Sequence, residues 1–160
     1  EYRLRKQVID QIKAFCSGFN ALIPADYIKY FTPAELGLMI CGVNNIDVKD
    51  FQEHAQYKLP YKKDHETIQM FFRVISRWSQ ENLSKLLQFI TGTSHVSVNG
   101  FKDFEAEKNA ITITQASDKE KLPTAHTCTN TLDLPNYDTE QNMNDKLLKA
   151  VNECNTFGFA

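Results

Sequence analysis

The amino-acid sequence predicts an α+β protein: a helical N-terminal segment, a hinge, and then helices packed on a small, mostly antiparallel sheet. Three observations predict it. Apolar residues recur at helical spacing up to Gly92, shorter period-two runs lie between Val96 and Leu134, and helical spacing returns after Thr139. With 160 residues, 42% of them hydrophobic and 24% charged, the chain has the means to bury one core.

Leu4, Val8, Ile12, Phe15 and Phe19 fall on one face of a first helix. A short second helix is expected over residues 24–31, with Pro24 in its first turn, where a missing N–H costs nothing. Thr32-Pro33-Ala34-Glu35 reads as a capping box opening a third helix that ends at Cys41, with Gly42 as its stop. The stretch Gly42-Val43-Asn44-Asn45 lets the chain change direction with little strain, and reads either as a domain boundary or as an ordinary C-cap and turn.

Asp47 can cap a short helix to about residue 56, and residues 57–64 are loop-like. Ile68, Phe71, Phe72, Ile75 and Trp78 make one helical stripe; Ser79 caps a second helix carrying Leu83, Leu86, Leu87 and Ile90, closed by Gly92. Short strands are then expected at Val96/Val98, Phe101/Phe104, Ile111/Ile113 and residues 127–134, with turns at Asn99-Gly100 and Asp118-Lys119. Thr139 caps a final helix bearing Met143, Leu147, Val151 and Cys154.

A formal net charge of -2 excludes a uniformly basic nucleic-acid binder, and no apolar run approaches the roughly 20 residues a membrane span needs. Cys16, Cys41, Cys128 and Cys154 are too scattered for a disulfide framework and form no CxxC pair, which points to a reducing compartment, cytosol or nucleus. The first residue is Glu1, already inside a helical pattern, so the sequence reads as a piece of a longer chain.

Cys16, Cys41 and Cys154 lie on or beside apolar stripes and read as small buried hydrophobes. Cys128 differs, because it sits in a polar, Thr-rich extended segment, Leu122-Pro123-Thr124-Ala125-His126-Thr127-Cys128-Thr129, where a thiol is accessible. On a strand, His126 would share a face with it. That spacing leaves open a Cys/His nucleophilic pair or part of a metal site, although no second ligand pair is in view. His54 and His65 read as solvated, and His95 falls in a turn.

The segment Leu122-Pro123-Thr124-Ala125-His126-Thr127-Cys128, followed by Asn130, Leu132, Leu134-Pro135 and Tyr137, closely resembles the catalytic segment of HECT ubiquitin ligases. The likeness continues in order through Leu38-Met39-Ile40-Cys41-Gly42, Ile46-Asp47-Val48, 86–94, Val98-Asn99-Gly100-Phe101 and the ending Asn155-Thr156-Phe157-Gly158-Phe159-Ala160. It implies the tail end of the family's N-lobe in residues 1–41, a hinge at 42–45 centred on Gly42, Val43 and Asn44, and a complete C-lobe in 46–160. Cys128 would accept ubiquitin as a thioester from a conjugating enzyme docked by an upstream region, and pass it to a lysine of a protein substrate. His126, Thr127 and the tail residue Phe157 would support transfer, and the strand Ile111, Thr112, Ile113, Thr114 would hold the ubiquitin tail by strand addition. No cofactor, metal, nucleic acid or membrane span is implied.

Two departures from the family pattern stand out. Thr129 replaces the usual Phe after the nucleophile, and His95 and Ser97 stand where relatives tend to have Arg and Pro. Losing Arg removes a permanent charge and a planar fork of donors. The competing readings are a cysteine hydrolase using Cys128 with His126, and a folded interaction module without chemistry.

Overall fold

The structure, a computed structural model, describes residues 8–43, 45–106 and 108–156. The chain divides into two units, Glu1–Ile40 and Cys41–Ala160. In the first, α1 (Ile9–Leu22) and α2 (Ala25–Ile28) lead to α3 (Pro33–Cys41), whose last residue belongs to the second unit. Pro24 is the N-cap of α2 rather than a first-turn residue, with the extended ψ of 139° that a cap adopts. The capping box forms as expected: the Thr32 N–H donates to Glu35 Oε2 at 2.7 Å, and the Glu35 N–H to Thr32 Oγ1 at 3.3 Å. These bonds to Thr32, the backbone one foremost, hold the Glu35 carboxyl below the usual carboxylate range.

None of the described residues of α1, α2 or α3 is buried, and Cys16 and Cys41 are exposed, which corrects their expected burial. An apolar stripe states which face of a helix seeks a partner, not whether one is there. The Cys154 side chain lies outside the described set.

The second unit carries a single core. Asp47 caps α4 (Val48–His54) by accepting from Lys49 N–H at 2.8 Å. α5 (Glu66–Ile75) and α6 (Gln80–Thr91) follow, the latter capped by Ser79 and stopped by Gly92 at φ 80°. α8 (Glu140–Thr156) packs on both, and Met143, Leu147 and Val151 are fully buried among Phe71, Ile75, Leu86 and Ile90. Glu140 ties the start of α8 to α5, accepting from Arg73 Nε and Arg77 Nη1, both at 2.8 Å.

The strands β1 (Gln56–Tyr57), β2 (Thr112–Gln115), β3 (Thr124–His126) and β4 (Thr131–Leu134) form one sheet in the order β1-β2-β4-β3. The α+β class stands, but the mostly antiparallel pairing does not. β1 with β2 and β2 with β4 are parallel; only β3 with β4 is antiparallel. Helices carry the crossover from β1 to β2, which is what parallel neighbours require, and a strand's own residues do not state its direction. Two further expectations change. Phe101/Phe104 are not a strand: the chain turns into α7 (Lys102–Ala106), while Val96 makes only an isolated bridge to Val43. The stretch 127–134 is broken by a 3-10 turn, Thr127–Thr129.

Tyr61 is buried and donates from its hydroxyl to Leu134 O at 2.9 Å. Burial pushes the Tyr57 and Tyr61 phenols up to about 12, and that of Tyr137 higher still. A folded-state value above the unfolded value of about 10 means that stability from these groups is whole below pH 10 and drains away as pH rises towards 12. The urea midpoint is therefore expected to fall across that window, with tyrosinate absorbance growing in step with unfolding. A flat midpoint would contradict the buried placement.

Candidate active site

Cys128 lies in the 3-10 turn that joins β3 to β4, and its side chain is exposed. The turn is short because Asn130 closes it in the left-handed region, φ 47° and ψ 44°, which Asn tolerates better than most residues. Asn130 also anchors it: its Nδ2 donates to Asn109 O at 2.7 Å, and its carbonyl accepts from Thr112 N–H at 2.9 Å. On the other flank the turn packs on α6, where the Thr127 Cβ would lie 3.9 Å from a Cβ placed on Gly92. A thiol is thus displayed on a loop held from two sides.

His126 ends β3, so it and Cys128 do not share a strand face; the chain has entered the 3-10 turn between them. Its partner is a residue the sequence reading missed. His126 Nε2 lies 2.9 Å from Asp133 Oδ2, which also accepts from Thr124 Oγ1 at 3.2 Å. The register Thr124↔Asp133, Ala125↔Leu132, His126↔Thr131 explains the meeting, since it puts Thr124, His126, Thr131 and Asp133 on one face while Leu132 turns into the core. The signal was present as matched parity on two strands either side of a tight turn. It becomes readable only once their antiparallel register is known.

Thr129, noted as a departure from the family pattern, is hydrogen-bonded within the turn. Its hydroxyl lies 3.0 Å from Thr131 Oγ1 and 3.4 Å from His126 O, and Thr131 Oγ1 donates to Thr129 O at 3.1 Å.

The expected ubiquitin-tail strand is placed differently. Ile111 and Ile113 are buried core residues, and Thr112 and Thr114 lie on β2, which has β1 on one side and β4 on the other. Ile111 O and Ile113 O already accept from Gln56 and Lys58 N–H. A strand paired on both sides offers no edge for strand addition at those registers. The terminal strands of this sheet are β1 and β3.

Of the hinge residues, Asn44 lies outside the described residues. Gly42 has φ 76°, and Val43 is bonded to Val96 in both directions, at 2.8 and 3.2 Å. His95 is the neighbour of that bridge, its Cβ 3.5 Å from a Cβ placed on Gly42, and its Nδ1 is 2.9 Å from Ser94 Oγ. Ser97 donates to Gly100 O at 3.1 Å. His54 and His65, read as solvated, are engaged: His54 Nδ1 is 2.9 Å from Asp50 Oδ1, and His65 Nδ1 accepts from Thr67 N–H at 3.2 Å. Phe157 lies outside the described residues. Among the described residues no group of three or more His, Cys, Asp or Glu side chains is placed to hold a metal ion, and no helix is long and apolar enough to cross a membrane.

The comparison with known families places this α+β chain: it belongs to the HECT-domain (ubiquitin-transferase) family, whose model matches residues 1–160. Among curated proteins it is similar to the "E3 ubiquitin-protein ligase RSP5" of Chaetomium thermophilum, 46% identical over 160 residues, 99% of this chain and 19% of the relative. It is likewise similar to the "Probable E3 ubiquitin-protein ligase hulA" of Aspergillus terreus, 44% identical over 99% of this chain and 20% of the relative. The protein of the same name from Aspergillus fumigatus is 43% identical over the same shares. The chain thus spans about a fifth of the length of these relatives. Their names do not favour the hydrolase reading.

Proposed function

We propose that this chain is the thioester-carrying part of a ubiquitin ligase: Cys128 accepts ubiquitin from a charged conjugating enzyme and passes it to a lysine of a protein substrate. The observation that carries the reading is the exposed Cys128 thiol on a turn braced by Asn130 and α6, in a chain matching the family along its whole length. Moving an acyl group between two thiolates is nearly isoenergetic, so the first step needs access and positioning more than a strong base. The second step, amine attack on a thioester, needs a proton acceptor and stabilisation of the oxyanion. His126 and Thr127 flank the thiol on its N-terminal side, and Phe157 is assigned to positioning in the tail.

With β2 paired on both sides at Thr112 and Ile113, the ubiquitin tail is assigned to the edge of β3, a terminal strand that leads within two residues to Cys128. Main-chain bonds along that edge would deliver the tail's carboxyl end to the sulfur. Residues 1–41 serve as the end of the N-lobe and 46–160 as the C-lobe. Between them the hinge is assigned to 42–45, with the pivot at Gly42, where rotation leaves the Val43–Val96 pair whole. Conjugating-enzyme docking and substrate choice are assigned to the rest of the ligase. Free thiols at Cys16, Cys41 and Cys128 suit a reducing compartment, cytosol or nucleus.

The test is to offer the intact ligase a charged conjugating enzyme and resolve the products without reductant. A thiol-sensitive ubiquitin adduct is expected on the wild type, and a thiol-resistant ester on Cys128→Ser. An adduct that persists unchanged in Cys128→Ala would end the assignment.

A further inference from the structure

We propose that Asp133 is a positioning residue for the transfer step: its carboxylate, steadied by Thr124, holds the His126 imidazole with Nε2 as the donor and leaves Nδ1 to take the proton of the incoming lysine. This rests on the reading of Cys128 as the ubiquitin carrier. A carboxylate can only accept, so at 2.9 Å the hydrogen of this contact sits on His126 Nε2, and in the neutral ring Nδ1 is then the bare nitrogen. The Thr124 hydroxyl, donating to the same Oδ2 at 3.2 Å, limits the carboxylate's rotation. The pair is graded in exposure: the Asp133 side chain is 25% exposed and that of His126 59%, so the acid is recessed and the imidazole faces outward, where a substrate approaches. Two Cα steps, at most roughly 7.6 Å, separate His126 from Cys128. Among the described residues of β3 and β4, Thr124, Thr131 and Asp133 share this face with the ring, and Asp133 is the one charge among these three.

The step balances without any further reagent. The lysine ammonium gives one proton to Nδ1 and becomes the nucleophilic amine. Its nitrogen attacks the thioester carbonyl carbon, the C–N bond forms, and the C–S bond breaks with its electron pair left on Cys128 Sγ. The second proton shed by the nitrogen neutralises that thiolate, and His126 returns its own proton to water. Thiol exchange in the loading step brings no ammonium to be deprotonated, so loading does not call on this pair.

The experiment separates the two steps in the intact ligase. Cys128 is loaded with ubiquitin activated as a small-thiol thioester, which needs no conjugating enzyme, and the adduct is then discharged to free lysine. Asp133→Asn is expected to load within about twofold of wild type, and to discharge about tenfold or more slowly at saturating lysine, with the loss in kcat rather than KM. Long-range 1H–15N spectra of this chain should show the Nε2–H form of His126 in the wild type and a mixture of tautomers in Asp133→Asn. Thr124→Val, which deletes only the hydroxyl, should slow discharge about threefold, and it decides the matter if Asp133→Asn melts early. Wild-type discharge rates in both variants, or a His126 tautomer that ignores Asp133, overturn the proposal. Failure of wild-type Cys128 to load would instead overturn the ligase reading.

Discussion

Cys128→Ala is expected to abolish ubiquitin transfer, by about a thousandfold or more, while moving the melting temperature by no more than about 2 °C. The separation of the two effects is the informative part. An exposed side chain on a turn contributes within about 0.5 kcal/mol to stability, and the turn is held by Asn130, Thr129 and the packing of Thr127 on the end of α6, none of which needs the sulfur. Cys16 and Cys41 are exposed too, so accessibility does not single out the carrier. Their alanine variants serve as controls and should transfer ubiquitin at wild-type rates. Thioester formation on non-reducing gels and thermal melts followed by circular dichroism check both halves. Persistent transfer in Cys128→Ala, or its loss in either control, would move the chemistry to another thiol.

Gly42→Ala should destabilise the second unit by about 3–5 kcal/mol, lowering its melting temperature by on the order of 10 °C. Gly42 sits at φ 76°, where an alanine is strained, and its Cβ would stand 2.2 Å from Val96 O and 3.1 Å from Val96 C. The obstacle is backbone and cannot rotate aside. It is also the oxygen that accepts the Val43 N–H at 2.8 Å, so relief of the clash pulls apart the Val43–Val96 pair beside the proposed pivot. Gly18, inside α1 with nothing within 4 Å of an added Cβ, is the contrasting site: Gly18→Ala should be neutral to stabilising by about 0.5–1 kcal/mol. Equal, small effects at both glycines would rule out the Val96 contact.

What could be read from residues alone was whatever neighbours in the chain decide. The boundaries marked by Thr32/Glu35, Asp47, Ser79 with Gly92, and Thr139 all appear, because a cap bonds within its own first turn. Ile68, Phe71, Phe72 and Ile75 of α5, the four expected leucine and isoleucine residues of α6, and Met143, Leu147 and Val151 of α8 are buried as expected, while Trp78 falls beyond α5 and is half-buried. Misreadings cluster where a residue's state depends on distant partners. Phe101 and Phe104 are three apart, a spacing that fits a turn of helix better than a strand, and short apolar pairs without longer context hide that difference. β1 is two residues long and exists because Ile111 and Ile113 offer it carbonyls. Thr112 and Ile113, expected to hold the ubiquitin tail by strand addition, are paired with β1 on one side and β4 on the other.

The candidate site divides along the same line. Cys128, with His126 and Thr127 beside it, could be named from a run of adjacent residues, and family membership follows from that run and its companions. The exposure of the thiol was likewise expected from its polar, Thr-rich surroundings; Asp133 and Thr124 could not be named, nor could the pairing of β2 on both sides. A motif is covalent and survives in the linear chain, whereas a register between β3 and β4 comes into being only when the core under Leu132 and Leu134 closes and sets which side chains face each other.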